Sequence, residues 1–312
     1  TDDESTNTGT SDSHTARVSF WRCGRSCQHC RHSAAQDQPM GAGGCIPIRT
    51  RTVALRCMGD TAAELFDAVA EAYAEHRPTY PAEWFHRFAQ RCSHHRRVWD
   101  CGCGNGQASV ALAAVFEQVV ATDASPNQIQ RAHPHPRIAY SCASATDSGL
   151  ESGSVDAVLV AQAAHWFAGD AFNAEVRRVA RPGAVLAWIG YTAPQLPNAA
   201  LQGLFDRFYG TTLKPWWAPE RAWVDRRYQG LPFPAVEWPF PMDLSLQRQW
   251  SLEAFLRYLG TWSAVETAQR NGLDVLAMLR QELLAAWPQQ GQQPLEIRWP
   301  LMGRWGPLDP EA

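Results

Sequence analysis

Glycines and aspartates close together in the sequence form the part of the chain best suited to binding a ligand. Asp100 ends a short apolar segment, and Gly102, Gly104 and Gly106 follow it. A second apolar segment ends in Asp123. Glycines adopt dihedrals closed to other residues and let the backbone approach a ligand. An acid at the end of a second strand can hold both hydroxyls of a ribose. The pattern predicts a nucleoside-binding site.

The spacing separates two classes of nucleoside ligand. Dinucleotide-binding folds use G-x-G-x-x-G, with the pyrophosphate at a helix N-terminus, whereas this loop has G-x-G-x-G after Asp100. A carboxylate there would repel a pyrophosphate and attract an ammonium group. S-adenosylmethionine carries an α-amino group, a sulfonium and no phosphate, so the loop favours it. A nicotinamide or flavin dinucleotide is the alternative, as is a domain without a ligand.

The motif DCGCGNGQ (100–107) resembles motif I of the class I S-adenosylmethionine-dependent methyltransferases. Further segments follow in the order expected of that family. Together they resemble the small-molecule branch that contains the trans-aconitate methyltransferases, over about residues 62–305. These segments are AYAEHRPTYP (72–81), VVATDAS (119–125), SVDAVLVAQAAHWF (154–167), EVRRVARPGAVLAWIGY (175–191), WSAV (262–265) and IRWPL (297–301).

The resemblance also suggests roles for residues around the methyl donor. Asp100 is expected near its amino group, the three glycines beneath its methionine part, and Asp123 on its ribose. Arg77 could hold the donor carboxylate by forked hydrogen bonds, or be a surface arginine. The other expected donor contacts are Tyr73, Gln162, and the residues Ala124 and Ala145-Thr146, of which only the last three are expected beside the adenine. The alternative for Gln162 is a simple loop residue without a role in binding.

His165 is the candidate catalytic residue. It follows the fourth predicted strand, and ligands of doubly wound sheets bind at the carboxyl ends of strands. His165 could be a general base, a hydrogen-bond donor to the acceptor, or part of a packed helix start. A carboxylate acceptor is already anionic at neutral pH and needs no base. The resemblance favours O-methylation of a carboxylate, and N- and C-methylation stay open.

Apolar segments and helical periodicity alternate along the chain, which predicts a doubly wound α/β fold. The family adds two last strands, one of them antiparallel, and makes the inserted helices a lid. We therefore expect a Rossmann-like, mostly parallel sheet of seven strands. The predicted strands are 96–100, 118–122, 137–142, 156–161, 184–190, 235–240 and 295–302, and the predicted helices are 106–117, one starting at 125–126, 169–180, 197–213, 251–268 and 272–287.

The first part of the chain differs in composition from the rest. Residues 1–57 are rich in Ser, Thr, Arg, Gly and Cys and show no hydrophobic periodicity, so we expect a disordered or artefactual leader. We expect the functional protein to begin near Met58, the methyltransferase domain to span 58–305, and a tail to occupy 306–312.

The leader contains a cysteine motif. Cys23, Cys27 and Cys30 form C-x3-C-x2-C, the spacing of an iron–sulfur cluster in radical S-adenosylmethionine enzymes. With His32 the same residues suggest a zinc site. No barrel of alternating strands and helices follows, so chance cysteines are the favoured interpretation and no metal is expected.

Composition narrows the class of protein. The 312 residues carry a net charge of −3 and no basic block, so we expect no nucleic-acid partner. No long apolar run and no secretory signal occur, and the nine cysteines suit reduced thiols, so we expect a cytoplasmic protein without a membrane partner. The expected partner is a small-molecule acceptor, and the oligomeric state is open. The alternative functions are a donor-binding protein without catalysis and a nicotinamide-dependent oxidoreductase.

Overall fold

The computed structural model describes residues 78–308. The predicted leader and its cysteines Cys23, Cys27 and Cys30 lie outside the described residues. So do Tyr73 and Arg77, and their predicted donor contacts stay predictions.

One seven-stranded sheet organises the chain, in the order β3-β2-β1-β4-β5-β7-β6. The first five strands are parallel, and β7 runs antiparallel to both β5 and β6. This confirms the predicted doubly wound, mostly parallel sheet of seven strands. The strands are β1 Arg97–Cys101, β2 Gln118–Asp123, β3 Ile138–Cys142, β4 Val155–Ala161, β5 Ala180–Tyr191, β6 Ser245–Trp250 and β7 Leu295–Pro307.

Helices cover both faces of this sheet. The first begins after Pro81 and buries Trp84, Phe85 and Phe88, as its sequence predicts. The α-helices are α1 Ala82–Gln90, α2 Gln107–Leu112, α3 Pro126–Gln130, α4 Ala164–Phe167, α5 Asp170–Val179, α6 Ala199–Arg207, α7 Arg221–Asp225, α8 Leu252–Gly260, α9 Ser263–Arg270 and α10 Val275–Ala286, with a π-helical turn at Phe208–Thr212 and 3-10 turns at Lys214–Trp216 and Pro288–Gly291.

Strand β4 separates two hydrophobic cores. Its residues are buried on both faces, as expected of a central parallel strand. Because successive side chains of a strand point to opposite faces, Ala157 and Leu159 enter one core while Val158 and Val160 enter the other. The predicted continuous apolar segment at 156–161 is therefore a strand between two helical layers.

Several predicted elements after β5 were wrong. The predicted strand at 235–240 forms no strand: Val236 and Trp238 each donate one backbone hydrogen bond to β7, and Pro239 has no N–H to continue. The real strand is β6, a polar segment in which Leu246 is buried. The predicted helix 251–268 is two helices, because Trp262 has extended backbone dihedrals.

Two other predicted boundaries shift. Helix α2 is shorter than the predicted 106–117, because a turn follows Leu112. Strand β7 continues to Pro307, beyond the predicted strand 295–302.

A pair of glycine variants tests the packing against β7. A Cβ on Gly306 would collide with the carbonyl oxygen of Val236, whereas a Cβ on Gly203 in α6 would meet nothing within 4 Å. We expect Gly306→Ala to lower the free energy of unfolding by about 1–3 kcal/mol through overpacking. Gly203→Ala should raise it by about 0.5–1 kcal/mol, because alanine loses less entropy in a helix. Urea denaturation measures both, and a Gly306→Ala variant as stable as the wild type would contradict the packing described.

Candidate functional site

A cavity of about 360 Å³ opens where the parallel strands end. The loops after β1, β2, β3 and β4 and the last residue of β5 all contribute to its walls, at the edge where doubly wound sheets bind ligands. Its volume lies within the range of small-molecule sites. The lining residues are Pro78, Tyr80, Gly102 to Asn105, Gln107, Ala108, Asp123 to Ser125, Gln128, Ala143 to Thr146, Ala161 to Ala163, Trp166, Phe167 and Tyr191.

The glycine loop forms one wall of the cavity. Gly102, Gly104 and Gly106 all have left-handed backbone dihedrals, with φ of 70°, 55° and 86°. The amides of Gly102 and Cys103 both donate to the Thr122 carbonyl, at 2.8 and 3.0 Å, which ties the loop to the end of β2.

The three glycines meet different constraints. A Cβ on Gly102 would lie 2.8 Å from the Ala163 Cβ, and one on Gly106 would collide with the Tyr140 hydroxyl. A Cβ on Gly104 would find its nearest neighbour 3.8 Å away, at Gln128 Oε1. Gly102 and Gly106 therefore serve the packing of the loop, whereas Gly104 leaves space inside the cavity. Gly106 does not line the cavity, although the sequence predicted it as a donor contact.

Asp123 anchors the same loop from β2. Its Oδ2 accepts a hydrogen bond from the Gly104 amide at 2.8 Å, and Oδ1 accepts one from the Ser125 amide at 2.9 Å. A carboxylate can accept about four hydrogen bonds. The side chain that positions the loop can therefore also accept hydroxyl groups from a ligand in the cavity, which it lines.

Asp100 lies beneath the loop and is fully buried. Its Oδ2 accepts a 2.6 Å hydrogen bond from the Ser109 hydroxyl, and Oδ1 has no hydrogen-bond partner within residues 78–308. Burial raises the pKa of Asp100 to about 7; the Ser109 hydrogen bond opposes this, and the charge of Asp123 adds to it. Asp100 does not line the cavity directly, so it would act on a ligand from behind the loop.

The predicted adenine contacts and Gln162 do line the cavity. Thr146 is held by its neighbour Ser144, whose hydroxyl oxygen accepts from the Thr146 amide at 3.2 Å. Gln162 has a left-handed φ of 56°, and its Oε1 accepts from the Tyr191 amide at 3.0 Å. The structure thus brings Asp123, Ala124, Ala145, Thr146 and Gln162 to one cavity, and their contacts with a donor stay predictions.

His165 does not line the cavity, although its neighbours Trp166 and Phe167 do. Successive side chains of a helix point about 100° apart, so His165 does not face the cavity, and its ring lies 6.4 Å from that of Tyr228. Burial, and then the charge of Arg221, lowers the pKa of His165 to about 3. Because a general base works best with a pKa near the operating pH, this environment gives the base interpretation no support.

The sequence prediction missed several lining residues. Tyr80 belongs to the quoted RPTYP segment, and Tyr191 ends β5, where the rule on strand ends would have found it. Asn105 and Gln128 have no pattern that separates them from ordinary loop and helix residues. Asn105 is buried, and its Nδ2 lacks a hydrogen-bond partner in the described part of the chain.

The described residues contain neither a metal-binding group of side chains nor a helix that could span a membrane. Between residues 78 and 308, no group of three or more His, Cys, Asp or Glu side chains is arranged to hold a metal ion. No helix in the same range has the length and apolar character needed to cross a membrane.

Several known proteins with similar sequences or structures are named as methyltransferases. A family model described as a methyltransferase domain matches residues 99–188. A protein from Dictyostelium discoideum, named for this class, is 32% identical over 226 residues, which cover 71% of this chain and 86% of the relative. A solved structure from Anaeromyxobacter dehalogenans, named as a type II methyltransferase, has 44% identity and a TM-score of 0.69, and the match covers 74% of this chain and 97% of that one.

The sheet order, the glycine loop and the acid after β2 define a class I methyltransferase fold. This chain belongs to the methyltransferase family. The class implies S-adenosylmethionine as the methyl donor, and neither relative's name states an acceptor.

Substitution of Gly104 separates ligand binding from backbone strain. Gly104→Ala places a methyl group in the cavity and strains the backbone, whereas Gly153→Ala imposes similar strain, at φ of 61°, outside the cavity lining. Each should lose roughly 1–2 kcal/mol of stability. We expect Gly104→Ala alone to weaken S-adenosylhomocysteine binding, by about tenfold or more, in isothermal titration. Equal affinities in the two variants would contradict this role for Gly104.

The buried carboxyl group predicts a pH effect on stability. Because the pKa of Asp100 is raised to about 7 in the folded protein and is about 3.9 in an unfolded chain, folding takes up a proton between these values. Stability should fall as the pH rises from about 4 to about 7 and then level off. Asp100→Asn removes this contribution, so its melting temperature relative to the wild type should climb across that range. A difference in melting temperature between Asp100→Asn and the wild type that stays the same at every pH would refute the raised pKa of Asp100.

Proposed function

We propose that this protein transfers a methyl group from S-adenosylmethionine to a small-molecule acceptor, and that the acceptor is a carboxylate, as in the trans-aconitate methyltransferases that its sequence resembles. The observation that carries the proposal is the position of Asp123. One carboxylate fixes the glycine loop through Gly104 and faces the cavity at the carboxyl ends of the strands.

The cavity fits a donor with an ammonium group and a ribose. Asp123 offers its carboxylate oxygens to the ribose hydroxyls. Asp100 keeps a buried carboxylate oxygen without a hydrogen-bond partner among the described residues, just behind the loop. A nearby ammonium group would favour the ionised form of this carboxyl and lower its pKa from about 7. Both acids therefore complement a positively charged donor without a phosphate.

Aromatic side chains form part of the remaining wall of the cavity. The Tyr80 and Tyr191 rings lie 5.9 Å apart, and both line the cavity together with Trp166 and Phe167. S-adenosylmethionine, when bound, supplies a methyl group on an electrophilic sulfonium. The side chains then have to orient the two substrates for in-line displacement and keep water away. A carboxylate acceptor needs no general base, which agrees with the exclusion of His165 from the lining.

Donor binding and transfer are tested together. Wild-type protein should bind S-adenosylhomocysteine and not NADH in isothermal titration, and should transfer label from S-adenosylmethionine to a member of a panel of small carboxylic acids. Asp123→Asn should weaken S-adenosylhomocysteine binding by about tenfold or more, because charge-assisted hydrogen bonds contribute roughly 1.5–3 kcal/mol each.

Asp243→Asn is the matched control, because Asp243 pairs with Arg87 on the surface and should leave donor affinity unchanged. Unaltered affinity in Asp123→Asn would overturn the donor assignment. Donor binding without transfer to any carboxylic, hydroxyl or amine acceptor would favour a binding protein without catalysis, and NADH binding would favour the oxidoreductase.

A further inference from the structure

Helix α4 connects the donor cavity to a second group of polar side chains. Trp166 of α4 lines the cavity, and its neighbour His165 belongs to the same helix, against which α7 packs. Arg221 is the first residue of α7, and its charge is close enough to help lower the pKa of His165, after the larger effect of burial.

The guanidinium of Arg221 lies among Tyr209, Trp217 and Asp225. Its Nε and Nη2 both donate to one neutral oxygen, the Tyr209 hydroxyl, at 3.2 and 3.0 Å. The acid paired with it is Asp225, which lies 3.6 Å from Nε and is 48% exposed. A guanidinium has five N–H donors, so this group can bind a further anion.

One buried nitrogen belongs to a ring beside this guanidinium, and a second lies on the neighbouring helix α4. Trp217 Nε1 and His165 Nδ1 are both buried, and neither has a hydrogen-bond partner among the residues that the structure describes. The Arg221 guanidinium lies 4.8 Å from the centre of the Trp217 ring. Buried polar groups in native proteins are nearly always paired with protein, water or a ligand, so a missing partner at this position indicates a bound group.

We infer that Arg221, with Trp217 beside it and His165 on the neighbouring helix α4, binds a carboxylate group of the acceptor. This inference rests on the proposed function and names the residues that select the acceptor. A carboxylate can accept two parallel hydrogen bonds from a guanidinium and a third from the Trp217 indole.

Aromatic rings surround this site and indicate the rest of the acceptor. The Trp217 ring lies 5.4 Å from that of Trp262 and 5.5 Å from that of Tyr209. Flat apolar groups pack favourably on such rings. The site therefore suits an unsaturated or aromatic acid better than a branched aliphatic one.

Binding of simple acids to the S-adenosylhomocysteine complex tests the inference. The probes are benzoate, succinate and trans-aconitate, with the neutral methyl ester of each as comparison, measured by isothermal titration. The wild-type complex should bind at least one acid, and bind its ester at least about tenfold more weakly. Arg221→Gln should weaken the acid by about tenfold or more and leave the ester unchanged. Trp217→Phe keeps an aromatic ring and should weaken the acid by roughly threefold.

The control is Arg226→Gln, since Arg226 lies at the other end of α7 over the Trp223 ring and should leave acid binding unchanged. Unaltered binding of S-adenosylhomocysteine and an unaltered melting temperature show that Arg221→Gln folds, and Arg221→Lys, which keeps the charge, should bind the acid with intermediate affinity.

Equal acid affinity in Arg221→Gln and the wild type would overturn the inference. So would a wild-type complex that binds S-adenosylhomocysteine but none of the three acids, while the proposed donor site would stand. Failure to bind S-adenosylhomocysteine at all would instead overturn the proposed function, and the inference with it.

Discussion

The hydrogen bonds between the Asp123 carboxylate and two backbone amides hold the candidate site together. One bond goes to Gly104 in the loop after β1 and the other to Ser125, the N-cap of α3. A single side chain at the end of β2 thereby fixes two loops that form neighbouring walls of the cavity. A loop that becomes ordered only on binding loses conformational entropy, which weakens the affinity for the ligand. Because Asp123 already holds the glycine loop in place, this cost is reduced.

The same constraint explains the buried acid behind the loop. Left-handed glycines let the backbone turn tightly over Asp100, which is shielded from solvent and satisfied on one oxygen by Ser109. Burial of an unpaired carboxylate costs stability, which is why the pKa of Asp100 rises to about 7. Groups with strongly shifted pKa values are concentrated at functional sites. In the proposed function the donor ammonium offsets the cost of burial.

The glycine loop and its two acids could be predicted from the sequence, because the signals there are local. Asp100, the glycines and Asp123 follow one another within a strand–loop–helix–strand unit, and the apolar β4 segment marks the centre of the sheet. The end of the chain was harder. Residues 235–240 have the alternating apolar pattern of a strand but contain Pro239, whereas the true edge strand β6 has only Leu246 fully buried. An edge strand with one exposed face carries a weak hydrophobic signal.

The proposed acceptor side could not be predicted for a different reason. Arg221 and Trp217 are close in sequence, but both are far from His165, and only the packing of α7 on α4 brings the helix of Arg221 next to that of His165. No spacing rule links an arginine in one short helix to a histidine in another. His165 was singled out from its place after β4, and its neighbours Trp166 and Phe167 line the cavity, while the direction of its own side chain depends on the rotation of one helical turn.

A crystal structure of the complex with S-adenosylhomocysteine tests most directly whether Asp123 binds the ribose of the donor. We expect both ribose hydroxyl oxygens within about 2.5–3.0 Å of the Asp123 carboxylate oxygens. The methionine part should lie over Gly104, with its amino group on the side of Asp100. A nucleoside bound elsewhere on the chain, or bound in the cavity with its ribose away from Asp123, would contradict the account.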